Sequence, residues 1–228
     1  MKLAVVILPC LNEENTVKNT IKQIKKHLKN VIIIVVDDAS TDNSIKKLQG
    51  ANKVILLKQR ISLANLIKIG LEHAKHYYPD YIIHIDSDGQ HNPKYLPKMI
   101  ETLNQKNADM IIGTRSLNQI PLLKRFGNIF FTGLIHLITG YELNDTQSGL
   151  RVMKYNFAEK LNLSSNFTYT HEEIIVAKKL NKKIIEMPII VNKRQYQKSR
   201  IARNPIKYGL LALIDIVRVT LKKLSKFQ

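Results

Sequence analysis

The sequence contains no tryptophan and one cysteine, Cys10. A lone cysteine excludes an internal disulfide and any metal site built on several thiolates, and it fits a reducing, cytoplasmic compartment. Acidic residues are scarce: 18 Asp plus Glu stand against 36 Lys plus Arg, a formal charge of +18. Such an excess asks for an anionic partner: phosphorylated metabolites, nucleic acid or an anionic membrane surface. Long apolar runs are missing too, and a membrane-spanning helix needs roughly 20 predominantly apolar residues. Phe126–Tyr141 is interrupted by Asn128, three glycines and two threonines, and Tyr208–Val217 is short and contains Asp215. The apolar run Leu3–Pro9 gives way to Asn12, Glu13 and Glu14 without a small-residue cleavage site, so no signal peptide is expected. What is present is ordinary globular material, 44% hydrophobic and 24% charged over 228 residues. That suffices for one domain, or one domain with an appendage, and excludes a wholly disordered chain.

Short apolar runs alternate with amphipathic stretches. Leu3–Leu8, Val31–Val36, Val54–Leu57, Tyr81–Ile85 and Met110–Ile112 are too continuous for a half-exposed sheet and are predicted as fully buried strands. Helical spacing covers Asn15–Leu28, Ser44–Leu48, Leu63–His76 and Pro93–Asn107, with Asp42 or Asn43, Ser62 and Asn92 as candidate caps of the last three. The alternation implies βαβ units, hence an α/β fold with a mostly parallel sheet and helices on both faces. Beyond Arg115 a helix is predicted from about Pro121 to Thr139, then a loop over Asn144–Gly149 and a short strand. Further on come a helix over Glu172–Leu180, a strand over Ile184–Val191 and a last helix opened by Pro205. Charge concentrates at the end: from Lys193 onward ten Lys or Arg face one acid, Asp215.

Acidic residues gather where the strands end, which is where ligands bind in an open parallel sheet. The first strand runs into Pro9-Cys10-Leu11-Asn12-Glu13-Glu14, the second into Asp37-Asp38-Ala39-Ser40-Thr41-Asp42, the fourth into Asp86-Ser87-Asp88-Gly89-Gln90-His91. Taken singly, Asp-Ser-Asp-Gly is a turn and Asp-Asp before Ser a helix cap. Three such clusters in so basic a chain suggest a divalent cation that carries phosphates. Mg²⁺ or Mn²⁺ prefers oxygen ligands and uses one or two carboxylates plus substrate phosphates. Asp86 and Asp88 can supply the carboxylates and Gln90 a carbonyl oxygen. His84, inside a buried strand, reads as a core histidine. Neither a Gly-x-Gly-x-x-Gly fingerprint nor a Walker lysine loop is present.

In combination these segments resemble the family 2 glycosyltransferases. Gly113-Thr114-Arg115 looks like their Gly-Ser-Arg, and Asp145-Thr146-Gln147-Ser148-Gly149-Leu150-Arg151 like their Asp-x-x-Ser/Cys-Gly-Phe-Arg. Glu172 sits where the family has a helical Glu, and Arg194 to Arg200 looks like Arg-x-x-Gly-x-Ser-Lys. The likeness extends to about residue 201 and is strongest to the polyprenyl-phosphate sugar transferases, such as dolichyl-phosphate mannose synthase. Departures are the missing Gly-rich turn at Arg60–Ala64, Gln197 for a glycine, Arg200 for a lysine, and Asn181 for a helix-ending glycine.

The resemblance implies a GT-A-type fold over 1–204 with a basic amphipathic helix over 205–228. It implies a metal-dependent, inverting transfer from a UDP- or GDP-sugar, with Pro9, Leu11, Glu13, Asp38 and Asp86 at the nucleotide and the metal at Asp86, Asp88 and Gln90. Asp88, Asp145 and Glu172 are the candidate catalytic residues, and Arg115, Arg125, Arg194 and Arg200 the candidate contacts to acceptor or donor phosphates. The acceptor expected is a polyprenyl phosphate met at the inner face of the plasma membrane. The alternative is a sugar hydroxyl in cell-surface polysaccharide synthesis, which would require Asp145 or Glu172 as base. The last helix offers Lys207, Asp215, Arg218, Lys222 and Lys226 on one face amid apolar residues, suiting an anionic interface or packing on the core. Arg125–Thr139 is a second candidate interfacial segment. A nucleic-acid-binding module would explain the charge, but no helix-turn-helix, zinc-finger or RNA-stacking signature occurs. A sugar nucleotidyltransferase would show a Gly-rich basic N-terminal loop, and Leu3–Glu14 has none.

Overall fold

Seven strands form one sheet in the computed structural model, which describes residues 2–193 and 205–222. They are β1 (Ala4–Cys10), β2 (Val31–Asp37), β3 (Lys53–Leu56), β4 (Tyr81–His84), β5 (Met110–Thr114), β6 (Arg151–Lys154) and β7 (Ile184–Pro188). Their order is β3-β2-β1-β4-β6-β5-β7. Only β6 runs antiparallel to its neighbours, β4 and β5; the other pairings are parallel. Chain order reverses between β1 and β4, so the carboxyl ends of these strands flank the crevice where an open sheet binds ligands.

The continuous apolar runs are explained by coverage on both faces. Val5, Ile7, Ile34, Val36, Ile82, Met110 and Ile112 point into one core, and Val6, Leu8, Ile33, Val35, Ile83 and Ile111 into the other. Helices α1 (Val17–His27) and α3 (Leu96–Gln105) cover the second. On the first lie α2 (Leu63–Lys75), α4 (Leu122–Thr139), the short α5 (Tyr155–Ala158), α6 (Tyr169–Lys179) and α7 (Pro205–Leu221). Ser62 caps α2 by accepting from Asn65 N at 3.2 Å. Asn92 accepts from Lys94 N at 3.0 Å and opens a 3-10 turn that continues into α3. Asn181 takes the left-handed conformation after α6, φ 51°, as a glycine substitute should.

Two of the expected elements are corrected. The Val54–Leu57 run, predicted as a buried strand, is the edge strand β3, with Val54 37% and Leu56 53% exposed. Apolar composition reads the same at an edge; burial is decided by place in the strand order. Ser44–Leu48 forms only a 3-10 turn, Ile45–Lys47, with Asp42 Oδ1 accepting from Ser44 N at 2.9 Å.

Beneath the crevice a guanidinium is wholly buried. Arg151, first residue of β6, donates Nε to Ser148 O (3.0 Å), Nη2 to Thr146 O (2.8 Å), and Nη1 to Thr170 O (2.7 Å) and Glu173 Oε2 (3.0 Å). Glu173 Oε1 lies 3.2 Å from His84 Nδ1 on β4. Burial pushes the Glu173 carboxyl up, but His84 and Arg151 outweigh it and hold the acid below its ordinary value. One side chain thus joins the 146–148 loop, β6 and α6.

Helix α7 is fastened to this body. Ala212, Ile216 and Val219 enter the core, and Asp215, expected on the basic strip, turns inward. Its Oδ2 accepts from Ser165 Oγ (2.6 Å), Asn166 N (2.9 Å) and Phe167 N (2.8 Å). Lys179 Nζ donates to the carbonyls of Val219 and Lys222, both at 2.6 Å. Polar anchoring and apolar packing therefore share one face of α7.

Replacing Arg151 with Leu should leave the buried Glu173 without its guanidinium partner, with only His84 beside it, and destabilise the protein by about 3–5 kcal/mol. Adding Glu173→Gln should recover part of that loss but not all, because three carbonyls stay unpartnered. Urea unfolding of the single and double variants measures both.

Candidate functional site

The loops after β1 and β2 are laced together. Asn12 N donates to Ser40 Oγ (2.9 Å), Thr41 N to Asn12 Oδ1 (2.7 Å) and Glu13 N to Ser44 Oγ (2.7 Å). Asn12 and Ala39 both adopt φ 54°. The left-handed region costs about 1–2 kcal/mol for an L-residue, and alanine lacks the side-chain hydrogen bond that helps asparagine there. Strain of this kind persists where surrounding bonds over-determine it. Asp37 supplies them by accepting from Ser40 N (2.9 Å) and Ser40 Oγ (2.5 Å). The fully buried Asp38 accepts from Ile61 N at 2.7 Å and ties the β2 loop to the segment before α2. Pro9, at the end of β1, accepts from Ser87 Oγ at 2.7 Å, which joins this wall to the turn after β4. Leu11 is half-buried and Glu13 buried in the same wall.

That turn carries Asp86 and Asp88, both half-buried, and Gly89 at φ 74°. Gln90 N donates to Asp88 Oδ1 at 3.0 Å. The Gln90 Nε2 lies 3.4 Å from Asn192 O, so the amide oxygen is its other end. Asn192 returns two bonds, N to Gln90 O (2.9 Å) and Nδ2 to Gly89 O (3.1 Å), and holds the chain after β7 against the turn. His91 is buried, with Nδ1 3.7 Å from Asp86 Oδ2; burial pushes its pKa down to about 4, so the ring is neutral at pH 7. Among the described residues no three His, Cys, Asp or Glu converge as a complete metal cage. A half-buried carboxylate pair next to a neutral imidazole nevertheless suits Mg²⁺ or Mn²⁺, which typically completes its shell with substrate phosphates and water.

Opposite stands an ion pair. Arg115, just past β5, donates Nε to Asp145 Oδ2 (2.6 Å) and Nη2 to Asp145 Oδ1 (2.9 Å). Asn128 Nδ2 on α4 adds a third bond, to Asp145 Oδ1, at 2.8 Å. Burial pushes the Asp145 carboxyl up, but the Arg115 fork and the Asn128 amide more than offset it and hold the acid below its ordinary value. The same fork raises the Arg115 pKa against burial. A cavity of about 610 Å³ opens beside the pair, lined in part by Arg115, Asn128, Thr132, Leu117, Ile129 and Leu143.

Asp86 acts electrostatically on Arg115, and Asp88, Arg115 and Asp145 all act on His91, so the acidic turn and the ion pair face one crevice. Glu172 is engaged elsewhere. Its Oε1 accepts from Ser164 N (2.7 Å) and its Oε2 from Ser165 N (2.7 Å), which makes it the anchor of the loop before α6. The Nε of Arg125 is buried without a hydrogen-bond partner among the described residues. Arg194 and Arg200 lie outside the described residues. Sequence reasoning missed Asn128 and Asn192, whose roles depend on contacts between distant segments; His91 stood within a quoted motif but received no role.

Comparison with known proteins follows the same lines. A family model described as glycosyl transferase family 2 matches residues 5–177. A UDP-N-acetylglucosamine–dolichyl-phosphate N-acetylglucosaminyltransferase of Methanococcus voltae is 30% identical over 225 residues, covering 87% of this chain and 89% of that protein. An undecaprenyl-phosphate 4-deoxy-4-formamido-L-arabinose transferase of Edwardsiella ictaluri is 26% identical over 227 residues, 93% of this chain and 65% of that one. Among solved structures, glucosyl-3-phosphoglycerate synthase from Mycobacterium tuberculosis, in complex with Mn²⁺, UDP and phosphoglyceric acid, superposes with a TM-score of 0.78 at 15% identity. The match covers 97% of this chain and 80% of the synthase, and the shared architecture is the GT-A-like α/β fold.

Gly149 presses its backbone against the acidic turn: a Cβ there would lie 2.9 Å from Asp86 Oδ2 and 3.4 Å from the Tyr169 hydroxyl. Gly149→Ala should push Asp86 aside and weaken Mn²⁺ binding about tenfold, the equivalent of a modest overpacking penalty. Electron paramagnetic resonance of a Mn²⁺ titration reads this directly.

Proposed function

The chain belongs to glycosyl transferase family 2, and on that premise we propose that it moves a sugar, with inversion, from a nucleotide-sugar to a polyprenyl phosphate at the inner face of the plasma membrane. The observation that carries the acceptor is the state of the two candidate bases. A sugar hydroxyl must lose a proton, and an efficient general base has a pKa near the working pH. Asp145 is forked to Arg115 and held below the ordinary carboxylate value, and Glu172 is bound to backbone amides. A phosphate monoester is already anionic near pH 7, its second pKa being about 6, and needs placement and neutralisation instead of deprotonation. Both named relatives carry a polyprenyl phosphate in their names.

In this reading Pro9, Leu11, Glu13 and Asp38 hold base and ribose in the wall between β1 and β2. Asp86 and Asp88, with the Gln90 amide oxygen, would hold Mg²⁺ or Mn²⁺, whose chemistry when bound would be Lewis-acid stabilisation of the departing diphosphate. Arg115 spends one edge of its guanidinium on Asp145, which fixes the plane in which the other edge meets the acceptor phosphate. Arg125 adds charge from α4, and Arg194 and Arg200 are assigned to the same phosphates from their place in the sequence.

Two exposed apolar stripes support a membrane-bound acceptor. Leu122, Phe126, Ile129, Phe130 and Leu137 line one side of α4; Leu210, Ile214, Val217 and Leu221 line one side of α7. All nine are at least half exposed. Both helices pack on the α6 side of the sheet. Among the described residues no helix is long and apolar enough to cross a membrane, so these stripes suit the interface. Ile129 and Leu117 also line the cavity beside Arg115, which makes apolar surface continuous with the ion pair.

A donor screen of UDP- and GDP-sugars, starting with UDP-N-acetylglucosamine, should give product with farnesyl phosphate only when Mn²⁺ or Mg²⁺ is present. Asp88→Ala should abolish turnover with an unchanged circular dichroism spectrum. Transfer to free sugar hydroxyls and none to phosphate would overturn the acceptor. In vesicle sedimentation, binding should rise with anionic lipid and weaken with salt, since exposed charges are screened within about 10 Å at 0.1 M. Phe126→Asp with Phe130→Asp should release the protein from vesicles and leave transfer to a short soluble acceptor less affected than transfer to a long one.

A further inference from the structure

Glu186 is an acid in the middle of β7, in register with Ile112 of β5. β5 continues through Thr114 into Arg115, so the two residues extend from neighbouring strands toward the same cavity, which both help to line. The Glu186 side chain reaches across to the loop between α4 and β6. Its Oε1 accepts from Asn144 N (2.7 Å) and Asp145 N (3.2 Å), and its Oε2 from Asn144 Nδ2 (2.6 Å). That loop has no ladder of its own at this point, since α4 ends at Thr139 and β6 begins at Arg151. Glu186 therefore supplies the bonds that place the Asp145 backbone, and the Asp145 carboxylate in turn forks Arg115.

We infer that Glu186 is a positioning residue for Arg115, acting through Asp145, and that it sets how tightly the acceptor phosphate is met. The inference rests on the acceptor reading above. The chemistry asks for a glutamate. Two oxygens with several lone pairs can take three donors at once, and a charged acceptor makes each bond stronger. Glutamine offers one oxygen and turns an NH₂ toward the Asn144 NH₂. Aspartate is one methylene too short to reach from the same Cα. The fork it supports has little slack: its 2.6 and 2.9 Å bonds would weaken with a shift of the Asp145 backbone by about an ångström, which takes N–H···O distances out of their 2.7–3.2 Å range.

The test uses the full-length enzyme with farnesyl phosphate as acceptor probe and the nucleotide-sugar found in the donor screen. Glu186→Gln should raise the KM for farnesyl phosphate about tenfold, the loss expected from one charge-assisted hydrogen bond. The KM for the nucleotide-sugar and the Mn²⁺-dependent affinity for the nucleoside diphosphate should stay within about twofold, because that wall is built on other strands. In an Arg115→Ala background the Glu186→Gln change should add nothing to the acceptor KM, since its route is gone. Glu186→Asp serves as a second variant if the glutamine form does not fold, with the same selective rise expected. A parallel rise in both KM values, or additive effects of the two substitutions, would show that Glu186 merely holds the domain together and would overturn the inference. If the wild type transfers to farnesyl phosphate and Glu186→Gln leaves its KM unchanged, the inference alone fails. If the wild type transfers only to hydroxyl acceptors, the acceptor reading fails and takes the inference with it.

Discussion

The crevice depends on a cation that water never reaches. Arg151 is fully buried, and taking a guanidinium out of water is tolerable only when its donors are met. Here they are met by three backbone carbonyls and Glu173, drawn from the loop just before β6 and from α6, about twenty residues further along the chain. The arrangement has a geometric consequence. Because the carbonyls of Thr146 and Ser148 are fixed, Asp145 on one side and Gly149 on the other are fixed as well. Asp145 holds Arg115; Gly149 abuts Asp86. The ion pair and the acidic turn are therefore referenced to one buried charge.

Rigid polar anchoring recurs wherever the chain leaves regular structure near the crevice. Carboxylates do most of it: Asp37 at the end of β2 and Asp38 just past it, Glu172 of α6 and Asp215 of α7 on the loop before α6, and Glu186 below Asp145. Each accepts backbone N–H groups that would otherwise lack a partner, and such bonds to charged acceptors are among the stronger ones available. In a chain with twice as many basic as acidic side chains, much of the scarce negative charge is placed inside the fold. The excess positive charge is left to the surface, where it sets up a field that attracts anions.

Helix α7 shows how one element serves both ends of this design. Its inward face inserts Ala212, Ile216 and Val219 into the core and pins the 165–167 loop with Asp215. Its outward face carries the apolar stripe. A helix apolar on two sides and fastened by a buried acid is neither a free amphipathic anchor nor an ordinary surface helix. The α6 N-terminus, with Tyr169 beside Gly149, is the short path from that helix to the crevice.

By itself the sequence determined the α/β alternation, most strand and helix positions, the caps at Ser62 and Asn92, and the gathering of acids at strand ends. These are local properties: apolar period, propensity and turn chemistry are written in neighbouring residues. Recognisable motifs also brought Asp86, Asp88, Arg115 and Asp145 into one expectation. Tertiary structure alone decided that β3 lies at an edge, that β6 runs against its neighbours, and that Asp215 faces inward. It alone separated Asp145, clamped to Arg115, from Glu172, spent on a loop, though both read equally as candidate bases. Strand order and the partners of a carboxylate are set by contacts between segments tens of residues apart. No local pattern records them, because the same Asp or Glu is a base, a ligand or an anchor according to which donors the fold brings to it.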